Sequence, residues 1–163
     1  EFGKEGVLAF FSHSKRSAMT GYRVGWVAGD RNAIATFRKV KTNIDSGTPS
    51  FIQDAAAAAL SDEDHVEAFR EEYRRKRDIL CSALVAAGLE DCTPQATLYV
   101  WQKAPQGMSS LDFATLLLEE KIAVVTTPGS GFGACGQGYV RISAFNSHAN
   151  VEEAMRRIES ALS

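Results

Sequence analysis

Residues 10–26, FFSHSKRSAMTGYRVGW, set a lysine between hydroxyl side chains and an arginine eight positions beyond it, with apolar runs on either side. Isolated surface positions would account for each polar residue singly, but not for the grouping. Ser12, Ser14 and Arg23 are the donors that suit a phosphate monoester. Hydroxyls give single hydrogen bonds, and a planar guanidinium can grip two oxygens. They bracket Lys15, whose amine can form an imine with an aldehyde held against it.

Outward from this stretch, residues 7–11 read as a short, continuously apolar strand of the kind buried on both faces in a parallel sheet, and YRVGWVAG (22–29) reads as a second. The lysine falls in their connection. Residues 31–43 carry apolar positions at helical spacing (Ile34, Phe37, Val40), and NIDSGTPS (43–50) ends that helix. Thr48 and Pro49 read as the N-cap and first turn of an alanine-rich helix through Leu60. Ser61 with Asp64 reads as a capping box for a third helix to Gly88, about 39 Å long at 1.5 Å per residue and long enough to link two structural units. On it Glu71 faces Arg75 and Glu72 faces Lys76, so EEYRRKR (71–77) is a solvated face and not a basic patch.

Beyond Gly88 the pattern changes to TLYVW (97–101), a helix from about Ser110 to Glu120, strands IAVVTT (122–127) and GYVRIS (138–143), and a last helix from Asn150, with Asn150 and Glu153 at capping-box spacing. This half reads as a small α+β unit with a mainly antiparallel sheet covered on one side by helices.

The 163 residues are 45% hydrophobic and 23% charged with a net charge of −2, so no positive field invites nucleic acid or an anionic membrane. No apolar run nears the roughly 18 to 20 residues that span a bilayer. Cys81, Cys92 and Cys135 lack metal-ligand spacing and are odd in number, so neither a zinc site nor a disulfide framework is expected, and a reducing cytoplasm suits them. The opening EFGKEGVLAFF has neither an initiator Met nor signal-peptide features, and the chain reads as the tail of something longer.

The phosphate-anchored aldehyde that would satisfy the lysine stretch is pyridoxal 5'-phosphate. SHSKRSAMTGYRVGW (12–26) resembles the cofactor-lysine signature of the fold-type I, class I/II aminotransferases: Ser-x-Ser-Lys, a variable stretch, then Arg and Gly, the last here Gly25. The resemblance implies that Lys15 is the catalytic, cofactor-anchoring lysine and that Ser12, Ser14 and Arg23 hold the phosphate. GYVRISAF (138–145) is similar to the family's small-domain strand, which makes Arg141 the ligand of the substrate's α-carboxylate. It implies an α/β fold in three parts: residues 1–60 as the C-terminal portion of the large cofactor-binding domain, 61–88 as a long linking helix, and 89–163 as the small domain.

It further implies transamination between an amino acid and a 2-oxo acid by a cytoplasmic homodimer, with residues 43–50 near the neighbouring subunit's site. TNIDSGTPS, TLYVW and LLLEEKIAVVTTPGSGFG are most similar to LL-diaminopimelate and N-succinyldiaminopimelate aminotransferases, and so to lysine biosynthesis. Family members carry upstream an aspartate for the pyridine nitrogen, a stacking aromatic and further phosphate donors. None has a counterpart here, so the chain alone is expected not to turn over. Two alternatives share the motif: a lyase or synthase using the same cofactor, and a non-catalytic aminotransferase-like sensor in a transcription regulator.

Gly131, Gly133 and Gly136 have dinucleotide-fingerprint spacing, but they run into a strand and not a helix, so that reading is rejected. PGSGFG is by resemblance a turn-rich loop near the active-site mouth. His13, His65 and His148 receive no catalytic role, Trp26 and Trp101 read as packing residues, and no metal is expected.

Overall fold

The computed structural model describes residues 5–162. The chain divides into two compact units, up to Phe69 and from Arg70 onward, and the boundary falls inside one helix.

In the first unit β1 (Leu8–Ser12) leads into a four-residue helix α1 (His13–Arg16), a 3₁₀ turn (Thr20–Tyr22) and β2 (Gly25–Gly29). The strands pair antiparallel, Leu8 opposite Gly29 and Ser12 opposite Gly25. This corrects the expectation of a parallel-sheet strand buried on both faces, for Phe10 and Phe11 are exposed. A compact return favours antiparallel pairing, whereas parallel neighbours need a longer crossover. Gly25 is required by this register, since a Cβ there would stand 2.4 Å from the Phe11 carbonyl oxygen.

Helix α2 (Arg31–Lys41) is capped by Asp30, whose carboxylate accepts from the Asn32 and Ala33 amides at 2.8 and 2.9 Å. Its Phe37 ring meets Phe10 edge-on at 5.5 Å. Helix α3 (Ser50–Ser61) has Pro49, not Thr48, at its N-cap. The Thr48 carbonyl instead accepts from the Gln53 side chain at 2.6 Å. The Ser61–Asp64 box does not form either, because the Ser61 hydroxyl bonds back to the Ala57 carbonyl and Asp62 receives the Asp64 amide. Helix α4 (Asp64–Ala86) follows, 23 residues or about 34 Å long.

From Arg70 onward α4 continues with the expected ion pairs, Glu71–Arg75 and Glu72–Lys76, both at 2.8 Å. It packs with α5 (Ser110–Leu118) and α6 (His148–Leu162) on one face of an antiparallel sheet of order β3 (Tyr99–Lys103), β5 (Tyr139–Ser143), β4 (Thr127–Pro128). Leu80 and Leu84 of α4, Val100, Phe113, Leu117, Val140, Ile142 and Ile158 form the core. Period-two alternation sends Val140 and Ile142 inward and leaves Tyr139 and Arg141 on the other face.

Two expectations fail here. The strand over 122–127 shrinks to Thr127–Pro128, because the Ile122 and Ala123 amides bond to Glu119 and the Val124 amide to Leu117, which finishes α5 instead of extending the sheet. Helix α6 starts at His148, two residues before Asn150. The Ser147 hydroxyl accepts the Asn150 amide, while Glu153 pairs with Arg156 and Arg157.

Among the described residues no helix is long and apolar enough to cross a membrane, and no group of three or more His, Cys, Asp or Glu could hold a metal ion.

Candidate active site

Ser12 ends β1 in extended conformation and caps α1, its Oγ accepting the Ser14 amide at 3.1 Å. That cap turns the chain sharply and puts Lys15 on an exposed helical turn. The connection is closed from within: the His13 carbonyl accepts from the Ser17 and Met19 amides, the His13 amide donates to Val24 at 3.3 Å, and the Thr20 hydroxyl donates to the Ser14 carbonyl at 2.8 Å. Arg23 follows the 3₁₀ turn in the left-handed region (φ 53°, ψ 45°), and its Nη1 donates to the Thr20 carbonyl at 2.8 Å. Because Ser12 pairs with Gly25 across the ladder, Ser12, Ser14, Lys15 and Arg23 all belong to one closed loop at the same end of the β1–β2 ribbon.

The loop has supports that the sequence did not reveal. Arg16 Nη1 donates to the Ala59 carbonyl at 2.8 Å and Nη2 pairs with Glu63, tying the lysine turn to the end of α3. Its place next to Lys15 was visible, but its partners lie 43 and 47 positions away. His13, read as a variable position, is 1% exposed beneath the turn, with its ring 4.6 Å from that of Trp26. Burial, then the charges of Arg16 and His65, push its pKa down.

Ser12 retains its hydroxyl proton as a donor, Ser14 makes no side-chain hydrogen bond among the described residues, and Arg23 keeps Nε and Nη2 available beyond its bond to Thr20. The loop thus presents two hydroxyls, a guanidinium fork and an amine.

Arg141 lies in the second unit at the middle of β5, opposite Trp101 on β3 and Thr127 on β4. Its guanidinium carbon stands 4.5 Å from the centroid of the Tyr99 ring and 4.7 Å from that of Phe132. Trp101 adds edge contact to Phe132 and stacks on Tyr139. No carboxylate is bonded to Arg141 among the described residues. Strand alternation could have placed Tyr99 and Trp101 on this face. Nothing local marked Phe132, which arrives from the glycine-rich loop.

A sequence profile described as "Aminotransferase class I and II" matches residues 3–158. The LL-diaminopimelate aminotransferase of Nitratidesulfovibrio vulgaris is 44% identical over 156 residues, which are 95% of this chain and 40% of that protein. The enzyme of the same name from Halothermothrix orenii is 40% identical over 162 residues, 99% of this chain and 41% of that one. Of solved structures, the aromatic aminotransferase from Pyrococcus horikoshii superimposes with a TM-score of 0.87 at 37% identity, covering 95% of this chain and 42% of its own. A probable N-succinyldiaminopimelate aminotransferase from Thermus thermophilus does so with a TM-score of 0.88 at 32% identity, covering 99% and 43%. The chain spans about 40% of the length of the curated relatives it matches. The class is pyridoxal phosphate-dependent. Since one profile runs through nearly the whole chain and solved aminotransferases share its elements, this protein belongs to the class I and II aminotransferase family.

Proposed function

We propose that the protein carries out amino-group transfer between an amino acid and a 2-oxo acid with pyridoxal 5'-phosphate, and that LL-diaminopimelate is its amino-acid substrate. The names of these curated relatives support the substrate. The observation that carries the reaction is the closed Ser12–Gly25 loop, which combines an exposed lysine with two hydroxyls and a guanidinium. This donor set fits the cofactor: an amine for its aldehyde, and charge-assisted, partly bidentate donors for its phosphate.

When bound, the cofactor supplies an electron sink for the pair left on the substrate's α carbon. Ser12, Ser14 and Arg23 hold the phosphate and so fix where the aldehyde meets Lys15. Lys15 Nζ would anchor the cofactor's aldehyde and serve as the base that removes the substrate's α-carbon proton and as the acid that delivers it to the cofactor. Arg141 grips the substrate carboxylate from a rigid strand, which orients the donor more sharply than a loop would. The division of labour follows the chain: residues up to 60 belong to the large domain, 61–88 link, and 89–163 form the small domain.

A second copy of the chain is the proposed partner. Ile44, within the segment between α2 and α3, and Phe51, in the first turn of α3, are 70% and 69% exposed and give a partner an apolar surface to cover. A cytoplasmic location accords with three cysteines that form no disulfide.

Borohydride reduction of the full-length protein after incubation with pyridoxal phosphate tests the assignment, with peptide mass analysis to find the modified lysine. The expected label is on Lys15, and Lys15→Ala should lose both the label and the lysine-bound cofactor absorbance. Label on another lysine, or a band that survives the substitution, refutes it.

A further inference from the structure

The surroundings of Arg141 carry a conclusion about how its guanidinium is aimed. A strand arginine normally finds an acidic partner or extends into solvent, and its long side chain then samples many rotamers. Here the partners are ring faces, Tyr99 from β3 at 4.5 Å and Phe132 at 4.7 Å. Rings engage a guanidinium through its faces, so its N–H edges remain directed outward in a defined plane. Unlike a carboxylate neighbour, they leave the positive charge unneutralised. An arginine held this way suits a planar carboxylate arriving edge-on, which needs a fork of fixed orientation.

The ring of Phe132 is not placed by chance collapse, since it is 53% exposed. It stands on a 3₁₀ turn (Gly129–Phe132) whose loop is closed at the base by backbone contact. A Cβ on Gly129 would stand 2.1 Å from the Gly136 carbonyl oxygen, and one on Gly136 would stand 2.0 Å from that of Gly129. Ser110, fully buried at the start of α5, locks the same base. Its hydroxyl donates to the Gly136 carbonyl at 3.0 Å and accepts the Gly138 and Tyr139 amides at 2.8 and 3.2 Å. The glycine-rich segment therefore works as a bracket, closed at its base, for one aromatic ring.

We propose that Tyr99 and Phe132 are positioning residues for the carboxylate-binding arginine, with the Gly129–Gly136 loop as the mount that holds Phe132 against Arg141. This rests on the reading of Arg141 as the substrate-carboxylate ligand. The rings set the affinity for the carboxylate, and the chemical step at Lys15 does not depend on them.

The test uses the full-length holoenzyme and measures KM and kcat for the amino donor, together with calorimetric binding of butyrate, a carboxylate without an amine. Phe132→Leu and Tyr99→Leu should each raise KM and the butyrate dissociation constant about three- to five-fold, with kcat within about two-fold, and Phe132→Tyr should restore wild-type values. Arg141→Lys should weaken butyrate by about 100-fold. If both leucine variants keep wild-type KM and butyrate affinity while Arg141→Lys loses them, the positioning role is wrong and the carboxylate assignment stands. If Arg141→Lys changes neither, the carboxylate assignment falls and the inference with it. A fall in kcat at constant KM in the leucine variants also overturns it.

Discussion

Arg23 shows in one residue how a proposed site can oppose the stability of its own loop. Its left-handed backbone (φ 53°, ψ 45°) suits glycine and costs an ordinary side chain about 1 kcal/mol or more. Its side-chain bond to Thr20 is exposed. Arg23→Gly should therefore stabilise the 163-residue chain by up to about 1 kcal/mol in urea unfolding. The same change should weaken pyridoxal phosphate binding by the full-length protein about 10- to 100-fold, the worth of a charged hydrogen bond. Tighter binding, or loss of stability, would contradict the role given to the guanidinium. The spacing from Ser12 to Arg23 was legible in the sequence because all four groups lie within twelve positions. The left-handed turn was not, because an arginine carries no signal for a conformation that its neighbours impose on it.

Among the elements, α5 bears the most consequence for the site. Ser109 and Asp112 form a reciprocal capping box at its start, and the next residue, Ser110, satisfies three backbone groups of the 136–139 segment. Ser110→Ala takes the shared hydroxyl from one buried carbonyl and two part-buried amides and should cost about 2 to 3 kcal/mol in chemical denaturation, while Ser110→Thr keeps the hydroxyl and loses less. Helix α4 gives the acid response. Hydrogen bonds from Arg74, then Arg75, hold the Glu71 carboxyl down to about 2, and Lys76, then His148, also lower Glu72. A carboxylate with a depressed folded pKa stabilises above its unfolded value near 4.5, and that contribution is lost as pH falls through the folded value. The thermal midpoint should decline between about pH 4.5 and pH 2, less steeply in Glu71→Gln. The pairs of α4 were readable because i,i+4 neighbours are fixed by helix geometry alone. The strand expected over 122–127 was misread for the opposite reason: apolar spacing marks extended chain, but cannot say whether its amides meet a neighbouring strand or, as here, the carbonyls that end α5.

At the scale of the molecule the two units differ in what they bury. From Arg70 onward Leu80, Leu84, Phe113, Leu117, Ile122 and Ile158 are almost fully enclosed in one cluster. Up to Phe69 the buried positions among the described residues are His13, Met19, Ala56 and Val66, while Phe10, Phe11, Ile44 and Phe51 are exposed. Hydrogen exchange on the 163-residue chain should show strong protection in β3, β5, α5 and the second half of α4, and weak protection in β1, β2 and α2, because local opening follows the apolar contacts that resist it. Equal protection in both units would show that the first is stabilised by something other than its own core. The expectation of a helix-linked pair of units came from the length of the 61–88 pattern. Where the boundary falls came from packing.

By itself the sequence determined the family motif around Lys15, the candidate phosphate and carboxylate ligands, and most of the order of helices and strands. These are short-range properties, set by spacing along the chain and by the periods of helix and strand. The tertiary structure alone decided that β1 and β2 run antiparallel, that Arg16 reaches α3 and Glu63, and that Arg141 is backed by Tyr99 and Phe132 in place of an acid. Each of these joins residues with no local relation, and only the closing of the backbone brings such groups within contact distance.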